Sequence, residues 1–511
     1  MSLLGIDIGT TGCKAVVFSE NGTIDSLAYR EYDIQRPKPR QAELDAASVW
    51  GLILEVIQEA VQQSGGTSIQ GISATSMGEN MVPVSEDRHI LGPSILNVDH
   101  RGEEFIPSLE QHIPNIRLHE INGNVWGNQY SLPKLMWIRQ YQSELYERTY
   151  KFLHWASFAT FMLGSEPCID YSLANRSLLF DINREGWSDP LLELSGIDRD
   201  KLPRPVPSGT AVGQLGRQQA EYLGLKPGIP LVSGAHDQCA NALGCGVVKD
   251  HMAMYGMGTF PTIAPVFTVT PDRDVLIRNG LNIEHHAVPG KFVSFLFHMG
   301  GSTVKWYRDN LARDVAESAR SAGTSAYPML YEQMPEHPAP VLVLPRFAPM
   351  GPPDYEDDPF GSILGMSIET GRGSILKGLI EGNTLALQLL VEQLPKAGID
   401  IREFRAVGGG SRNDRALQIA VDILGKPFTR SPIPEAGALG AALLAGIGAG
   451  VYRDAEDAAQ AVSHGDGEYF EPDQRRHRHY QEVFGIYKET RNLLKPISQK
   501  WNDLRKTLEQ Q

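Results

Sequence analysis

The chain begins with two apolar stretches separated by a short polar segment. Residues 3–8 and 15–18 are mostly apolar, and each stretch predicts a buried strand. The segment Gly9-Thr10-Thr11-Gly12 between them predicts a hairpin turn. Asp7 lies inside the first strand, where an unpaired carboxylate would be costly. We therefore expect a metal ion or a hydrogen-bonding partner beside Asp7.

Beyond this hairpin, helical and strand patterns alternate. Apolar positions at helical spacing predict helices over residues 46–63, 132–141, 152–163, 374–394 and 414–424. Short apolar runs predict strands over residues 69–75, 82–84, 231–236, 252–255, 341–345 and 404–407, and an extended segment continues to Arg36. Polar residues follow several of these strands, and α/β proteins place their sites at strand ends. The pattern predicts an α/β fold with sites at such ends.

The turn between the first two strands is suited to binding a phosphate. Its glycines let the main chain approach an anion closely, and Thr10 and Thr11 add hydroxyl donors. Lys14 adds a positive charge. Mg²⁺ carried by a nucleotide would then be a suitable partner for Asp7. A purely structural interpretation also fits, in which the glycines shape a tight hairpin and Asp7 caps it.

A similar pattern recurs about half a chain length further on. Residues 252–255 predict a strand, Gly258-Thr259 predicts a turn, and Thr262-Ile263 begins another apolar stretch. Two phosphate-binding hairpins, one from each half of the chain, would clamp a polyphosphate from both sides. Two unrelated hairpins are the alternative interpretation.

A triple-glycine turn follows the strand predicted over residues 404–407. Gly408, Gly409 and Gly410 would let a flat base or a ribose approach the backbone, although a flexible connector is the alternative. The small-residue helix predicted from Glu435 to Gly446 is suited to close packing beneath this turn. From Asp454 the chain is polar, which predicts a helical surface tail.

Composition excludes several classes of protein. The chain has 511 residues, enough for two or three domains, and its net charge of −14 argues against nucleic acid as a partner. Its four cysteines have no CxxC spacing, so neither a disulfide framework nor a structural zinc site is expected. The absence of an 18-residue apolar run predicts no membrane span. The first strand begins without a leader pattern, which together with the cysteine usage suggests a cytoplasmic protein.

With these residues assembled, the chain resembles the FGGY family of carbohydrate kinases, within the superfamily of actin, hexokinase and chaperone ATPases. The matching segments are residues 5–14, Gly234-Ala235-His236-Asp237-Gln238, Gly258-Thr259, Gly300-Gly301-Ser302, Lys305-Trp306-Tyr307, Glu381-Gly382, residues 408–413 and residues 435–450. Each segment is weak by itself, but together and in this order they are specific. The resemblance covers residues 3–452.

The resemblance implies two RNase H-like domains that close on ATP and a sugar bound in the cleft between them. The implied division is an N-terminal domain over residues 1–247, a C-terminal adenosine-binding domain over residues 248–453, and a helical tail over residues 454–511. Within the family, residues 133–135 and 165–172 look most like xylulokinases, as do Asp181 and Trp187. D-xylulose is therefore the first expected substrate.

Two segments depart from the xylulokinase pattern. Ser76-Met77-Gly78-Glu79 lacks the Met-His pair of those enzymes, and Asn97-Val98-Asp99 lacks their tryptophan. Both features also look like kinases of autoinducer sugars. Another ketose, a polyol, an aldonate or an autoinducer-type sugar therefore stays open as the substrate.

The resemblance also implies roles for individual residues. Asp237 matches the family's catalytic base, which activates a sugar hydroxyl for phosphoryl transfer, and Gln238 beside it would hydrogen-bond the sugar. Asp7 would hold Mg²⁺ through water. The remaining predicted contacts are Gly9, Thr10, Thr11, Lys14, Gly258 and Thr259 for the phosphates; Gly409, Gly410, Ser411 and Asn413 for adenosine; and Met77, Gly78, Glu79, Asp99 and Arg101 for the sugar.

Structural alternatives exist for two of these assignments. Asp237 could instead cap the helix that begins near Gln238. Glu79 and Arg101 could pair with each other on the surface.

Two other functional classes stay open. An actin-type protein that uses ATP only as a structural clamp would release no ADP in response to sugar. A hydrolase would split ATP without any sugar. A dehydrogenase is disfavoured, because no strand is followed by GxGxxG with an acidic residue about 20 positions on. The preferred nucleotide and the oligomeric state, including a homodimer, also stay open.

Overall fold

The computed structural model describes residues 1–258, 261–298, 300–347, 359–462 and 467–509. Two mixed β-sheets, one from each half of the chain, are flanked by helices. The strands are β1 (Ser2–Ile8), β2 (Gly12–Ser19), β3 (Ile24–Glu31), β4 (Glu43–Leu44), β5 (Ile69–Ser76), β6 (Met81–Val84), β7 (Ser94–Ile95), β8 (Lys151–His154), β9 (Cys168–Asp170), β10 (Phe180–Asp181), β11 (Gly186–Trp187), β12 (Arg204–Val206), β13 (Ala211–Gln214), β14 (Pro230–His236), β15 (Met252–Gly256), β16 (Thr262–Phe267), β17 (Glu284–His285), β18 (Phe292–Val293), β19 (Leu296–Phe297), β20 (Leu342–Leu344), β21 (Ser362–Leu364), β22 (Glu403–Val407), β23 (Phe428–Arg430) and β24 (Glu468–Phe470).

The α-helices are α1 (Ala46–Gln63), α2 (Ile106–His112), α3 (Asn115–Asn122), α4 (Ser131–Tyr141), α5 (Ser143–Arg148), α6 (Trp155–Leu163), α7 (Tyr171–Asn175), α8 (Asp189–Ser195), α9 (Arg217–Leu223), α10 (Asp237–Gly244), α11 (Arg273–Arg278), α12 (Gly300–Leu311), α13 (Arg313–Ser321), α14 (Ala326–Glu332), α15 (Arg372–Val391), α16 (Asp414–Leu424), α17 (Ala436–Gly448), α18 (Ala455–Ala461) and α19 (Gln474–Glu509). Short 3₁₀ turns lie at Glu103–Phe105, Arg199–Lys201, Leu394–Ala397 and Gly409–Arg412.

The first sheet has the strand order β13-β14-β5-β1-β2-β3. β1 and β2 form the predicted antiparallel hairpin, and β5 lies parallel to β1 on its other side. Helix α1 begins at the predicted residue because the side chain of Asp45 accepts hydrogen bonds from the N–H groups of Ala47 and Ser48. The apolar face of α1 packs into the core against this sheet.

The second sheet repeats this arrangement. Its strand order is β17-β18-β16-β15-β22-β23-β24, with β15 and β16 antiparallel and β22 parallel to β15. Each half of the chain therefore contains an antiparallel hairpin whose first strand has a parallel neighbour. The shared topology favours a common origin for the two hairpins over two unrelated turns.

Helix α17 packs on the first sheet, although its sequence lies in the second half. A Cβ at Gly5 would lie 1.9 Å from the carbonyl oxygen of Ala438, and one at Gly244 would lie 1.9 Å from that of Ala436. Only glycines allow the helix to approach β1 and α10 this closely. α17 thus packs against the first half of the chain, a contact that the sequence did not predict, and its Ala436 and Ala438 share a core cluster with Val407, which precedes the triple-glycine turn.

Two other boundaries differ from the sequence prediction. Residues 151–154 form β8, so the helix predicted from residue 152 begins only at Trp155. The extended segment predicted to continue to Arg36 ends as β3 at Glu31.

The tail also differs, because it is not purely helical. β24 pairs antiparallel with β23, and the α19 side chains Tyr480, Phe484 and Tyr487 are buried in the second half. Within the described ranges, no helix is both long and apolar enough to cross a membrane. All four cysteines are free and buried.

Candidate active site

The first hairpin places Asp7 directly opposite Lys14. Nζ of Lys14 lies 3.4 Å from Oδ2 of Asp7 and 2.8 Å from Oε2 of Glu435. Burial raises the pKa of Asp7, and the charge of Lys14 partly opposes this shift. Burial acts to lower the pKa of Lys14, but the negative charges of Asp7 and Glu435 have the larger combined effect, so the pKa of Lys14 is raised. The expected partner of Asp7 is thus Lys14, a residue on the neighbouring strand.

The turn itself leaves its threonines available. Gly9 N–H donates to the carbonyl oxygen of Gly12 at 2.9 Å, which closes the hairpin. The hydroxyl groups of Thr10, which is half-buried, and Thr11, which is exposed, donate no hydrogen bond within the described part of the chain. A Cβ at Gly12 would lie 2.5 Å from the hydroxyl oxygen of Tyr29, so this glycine also has a packing role. The structural interpretation and the phosphate interpretation of the turn are therefore compatible.

Two side-chain oxygen atoms lie near Gly437, beside Asp7. A Cβ at Gly437 would lie 3.1 Å from Oδ2 of Asp7 and 3.3 Å from Oδ1 of Asn241. Among the residues that the structure describes, no group of three His, Cys, Asp or Glu side chains could hold a metal ion. Mg²⁺ that arrives with a nucleotide needs only one or two protein carboxylates, because it keeps several waters. The donor set fits such an ion and does not fit an all-protein metal site.

Asp237 lies where β14 ends and α10 begins. Its Oδ1 is 3.1 Å from Nε2 of His236, and about a quarter of its side chain is exposed (27%). Burial, together with the charges of Asp7 and Glu79, raises the pKa of Asp237 to about 7. Burial, together with Arg176, lowers the pKa of His236 far below its usual range, so the imidazole is neutral. The N-cap position of α10 is His236, with no side-chain cap, so the alternative role of Asp237 as a helix cap is not supported.

Glu79 belongs to a buried charge cluster that the sequence did not reveal. Arg176 donates hydrogen bonds from Nε and Nη2 to Oε1 of Glu79, the first at 2.8 Å, and from Nη1 to Oε1 of Glu284 at 2.7 Å. Its guanidinium carbon lies 4.9 Å from the ring centroid of Tyr130. A Cβ at Gly78 would lie 3.0 Å from Cγ of Arg176, so the glycine makes room for the arginine. One guanidinium thus pairs with two carboxylates.

Asp99 and Arg101, predicted for the sugar pocket, form a separate buried cluster. Nε and Nη2 of Arg101 donate to the carboxylate of Asp99 at 2.7 to 3.0 Å, and Nη2 reaches Oε2 of Glu43 at 2.8 Å. Nζ of Lys134 donates to the carbonyl oxygens of Asp99 and Arg101 at 2.6 and 2.9 Å. The alternative of a surface pair between Glu79 and Arg101 is wrong, because both are buried and each pairs elsewhere.

The two other sugar-pocket candidates differ in their surroundings. Met77 follows β5, and its side chain is buried in the core of the first half. Gln238 follows Asp237 in the first turn of α10 and is half-buried. Gln238 is therefore placed to act beside Asp237, whereas Met77 contributes packing.

The triple-glycine turn lies at the carboxyl end of β22. Gly410 N–H donates to the carbonyl oxygen of Met257 at 3.0 Å, which joins this turn to the end of the second hairpin. Around Gly258 the space is open, since a Cβ there would meet nothing within 4 Å. Thr259, predicted to face the phosphates, lies outside the described residues. Asn413 caps α16 by accepting a hydrogen bond from Ala416 N–H.

A cavity of about 490 Å³ adjoins this turn. Its lining residues are Val407, Gly408, Ser411, Arg412, Arg430, Ser431, Pro432, Ile433, Pro434 and Glu468. Ser411 was predicted to border adenosine, whereas Gly409, Gly410 and Asn413 do not line this cavity. Glu468 comes from β24, so the tail contributes one wall.

Sequence reasoning missed four residues of the site. Asn241 follows Asp237 by four residues in α10, so helical periodicity could have placed both on one face. Lys14 and Glu435 are 421 residues apart, and Arg176 and Glu284 are 108 apart. No local pattern signals pairs at such separations.

Two family models match the chain. The N-terminal domain of the FGGY family of carbohydrate kinases matches residues 2–244, and the C-terminal domain of that family matches residues 284–449. Together the two matches cover most of the chain.

Similar curated proteins are kinases with different named substrates. A xylulose kinase from Lactococcus lactis subsp. lactis (strain IL1403) is 24% identical over 95% of this chain and 96% of its own length. A glycerol kinase from Bordetella parapertussis is 29% identical over 89% of this chain and 90% of its own length. An autoinducer-2 kinase from Salmonella typhimurium is 25% identical over 97% of this chain and 94% of its own length.

Solved structures share the fold along nearly the whole chain. A xyloylose kinase from Brucella ovis has a TM-score of 0.86 at 23% identity and covers 97% of this chain and 100% of its own. A glycerol kinase from Plasmodium falciparum, solved with ADP, has a TM-score of 0.83 at 20% identity and covers 96% of this chain and 98% of its own. The predicted two-domain α/β fold is confirmed.

Proposed function

The chain belongs to the FGGY family of carbohydrate kinases, and we propose that it transfers the γ-phosphate of ATP to a primary hydroxyl of a small neutral sugar, with D-xylulose as the first candidate. One observation carries the assignment. Asp237 is close enough to both Asp7 and Glu79 for their charges to raise its pKa. We infer that the carboxylate lies between the proposed phosphate side and the proposed sugar side of the site.

Asp237 is the proposed general base. A pKa of about 7 leaves a substantial fraction ionised at neutral pH while keeping the carboxylate basic enough to accept a hydroxyl proton. The proton passes from the sugar hydroxyl to Asp237 as the sugar oxygen bonds to the γ-phosphorus. The bond from that phosphorus to the bridging oxygen breaks, and ADP leaves.

The first hairpin is proposed to hold the phosphates. Thr10 and Thr11 offer uncommitted hydroxyl groups, and Lys14 is a cation held within 3.4 Å of Asp7. When bound with the nucleotide beside Asp7 and Asn241, Mg²⁺ would neutralise charge on the phosphates. Gly258 and Thr259 would face these groups from the second hairpin. Gly409, Gly410, Ser411 and Asn413 are proposed to border adenosine.

Charge balance near Glu79 favours an uncharged sugar. The guanidinium of Arg176 is shared by two carboxylates, and its ion pairs with Glu79 and Glu284 raise its pKa against the opposing effect of burial. His236 beside this cluster is neutral. A carboxylate-bearing substrate such as an aldonate would find no uncommitted positive charge among these residues. Hydroxyl groups, in contrast, can hydrogen-bond to the polar atoms there.

The experiment is a coupled ADP-release assay against ketopentoses, polyols and aldonates, with ATP and Mg²⁺ present throughout. We expect ADP release only with a neutral sugar, and highest with D-xylulose. ADP release without sugar would indicate a hydrolase, and no release with any sugar would support the ATP-clamped binding protein. A preference for glycerol or for an autoinducer-type sugar would keep the kinase assignment and replace the substrate.

A further inference from the structure

Tyr32 contacts the turn of the first hairpin at three main-chain carbonyl groups. It directly follows β3, and its N–H donates to the carbonyl oxygen of Thr11 at 3.1 Å. Its hydroxyl donates to the carbonyl oxygen of Gly9 and lies 3.2 Å from that of Gly12. Its ring packs against the core of the first half of the chain. One side chain anchored in the core thus contacts the turn at both of its glycines.

These contacts set the direction of the peptide groups in the turn. In a trans peptide the C=O and the following N–H point to opposite sides. Since the carbonyl of Gly9 points at Tyr32, the N–H of Thr10 points away from it. Likewise, the carbonyl of Thr11 sets the direction of the Gly12 N–H. An anion is bound by N–H groups that face it, so Tyr32 engages carbonyl groups that would otherwise be able to face a phosphate.

The glycines of the turn make such a restraint useful. Without a Cβ, Gly9 and Gly12 can adopt many backbone conformations, so the peptide groups between them can rotate. The hydrogen bond from Gly9 N–H to the carbonyl of Gly12, at 2.9 Å, restrains the peptide group before Gly9 and not the one after it. Burial raises the pKa of Tyr32 well above its usual range, so its hydroxyl keeps its proton and stays a donor at neutral pH.

We propose that Tyr32 is a positioning residue for phosphate binding, which keeps the peptide groups of the turn arranged for the phosphates of a nucleotide before the nucleotide binds. The inference rests on the proposed function, in which this hairpin holds the phosphates of ATP. Donors that are already in place bind an anion more tightly, because the turn does not have to be ordered on binding. Tyr32 acts through the main chain of the turn, without contact to the nucleotide.

Tyr32→Phe tests the proposal, because it removes the hydroxyl and keeps the ring in the core. The carbonyl of Gly9 loses its donor, so the affinity for ATP should fall about threefold to tenfold, as expected for one lost hydrogen bond. Adenosine has no phosphates, so its affinity should equal that of the wild type. Calorimetry of the full chain with each ligand, in the presence of Mg²⁺, gives both values. KM for ATP should rise by the same factor as the loss of affinity, and KM for the sugar should not change.

Tyr452→Phe is the matched control. The hydroxyl of Tyr452 donates to the carbonyl oxygen of Glu20 at 2.6 Å, next to the end of β2 that lies away from the turn, and the residue is 6% exposed. Each variant loses one hydrogen bond from a tyrosine hydroxyl to the main chain. Only Tyr32→Phe should weaken ATP binding.

Amide hydrogen exchange without ligand gives a readout that does not depend on activity. Residues 9–12 should exchange faster in Tyr32→Phe than in the wild type or in Tyr452→Phe. Unchanged exchange there, an unchanged affinity for ATP, or equal losses of affinity for ATP and adenosine would overturn the proposal. The proposed function is tested separately by ADP release from the wild type. A wild type that binds ATP and phosphorylates no sugar would overturn the kinase assignment, and the calorimetry would still decide the role of Tyr32.

Discussion

Nε2 of His236 lies 3.1 Å from Oδ1 of Asp237, at the junction of β14 and α10. Because the imidazole is neutral, this contact is polar and is not an ion pair. In the proposed mechanism this contact orients one carboxylate oxygen and leaves Oδ2 for the hydroxyl proton of the sugar. His236 is a positioning residue in this arrangement.

Replacing Asp237 with Asn should remove most phosphorylation while preserving nucleotide binding. The amide cannot accept the hydroxyl proton, and loss of a general base typically costs 10²- to 10⁴-fold in rate. Sugar-dependent ADP release gives the rate, and calorimetry gives the nucleotide affinity. Asp189→Asn is the matched control, because Asp189 is also the first residue of a helix but is 78% exposed and pairs with Arg199. Near-wild-type turnover in Asp237→Asn would refute the base assignment.

The reaction rate should depend on pH through Asp237. Since its pKa is raised to about 7 and the base must be ionised, kcat/KM should fall about tenfold per pH unit below 7 and level off above it. Glu79→Gln removes one of the charges that raise this pKa, so the acidic limb should move to lower pH. A pH profile of both proteins measures the shift. A limb that does not move in the variant would contradict the electrostatic link between the two residues.

Gly437→Ala should increase the Mg²⁺ concentration needed for activity. The added methyl group would lie 3.1 Å from Oδ2 of Asp7 and 3.3 Å from Oδ1 of Asn241, the two oxygens proposed to face the ion. Alanine in a helix is favoured over glycine by about 0.5 to 1 kcal/mol, so the melting temperature should not fall. Calorimetric titration of ATP with and without Mg²⁺ gives a second readout.

The control for that substitution is Gly485→Ala in α19, where the new Cβ meets nothing within 4 Å. It should change neither the Mg²⁺ dependence nor ATP binding. An unchanged Mg²⁺ dependence in Gly437→Ala would argue against an ion beside Asp7.

Glu284→Gln should relax discrimination against aldonates. The amide oxygen of the glutamine can still accept the hydrogen bonds from Arg176 and Asn282. The negative charge of Glu284 is lost, however, so the positive charge of Arg176 is opposed only by Glu79. The ratio of kcat/KM for an aldonate to that for the neutral sugar should rise roughly tenfold, a change of about 1.4 kcal/mol. Asp422→Asn, which neutralises another buried carboxylate paired with an arginine, should leave the ratio unchanged. Equal ratios in Glu284→Gln and wild type would refute the charge-balance argument.

Glu381→Gln should stabilise the protein at alkaline pH. Glu381 is 4% exposed, accepts a hydrogen bond from the hydroxyl of Tyr480 at 2.8 Å, and has its pKa raised by burial to about 7. The folded state therefore holds this proton between about pH 4.5 and 7, and the associated stability is lost as the pH rises through 7. The variant mimics the protonated form, so its free energy of unfolding should exceed that of the wild type by on the order of 3 kcal/mol above pH 7.

The difference between Glu381→Gln and wild type should shrink towards pH 4.5, which urea unfolding at several pH values can measure. Glu392→Gln controls for the tail interface, because Glu392 also contacts α19, through Lys488 at 3.0 Å, but is more exposed (29%). A difference that is constant with pH would contradict the raised pKa.

Much of the fold followed from local pattern. The bounds of α1 and α16 were predicted to the residue, because apolar periodicity and capping residues are encoded within a few positions of the chain. The two hairpins and the location of Asp237 at a strand end were predicted for the same reason. The order of these short motifs was sufficient to indicate the family.

Only the tertiary structure decided which charges meet. Lys14 pairs with Glu435, Arg176 joins Glu79 to Glu284, and α17 covers the sheet of the opposite half. A side chain's charge is visible in the sequence, but its partner depends on how distant elements pack, and many pairings satisfy the same local pattern. The pKa of about 7 at Asp237 is likewise a result of folding. Desolvation of its carboxylate and the negative charges of Asp7 and Glu79 raise this pKa only after folding has buried Asp237 and brought the three residues close together.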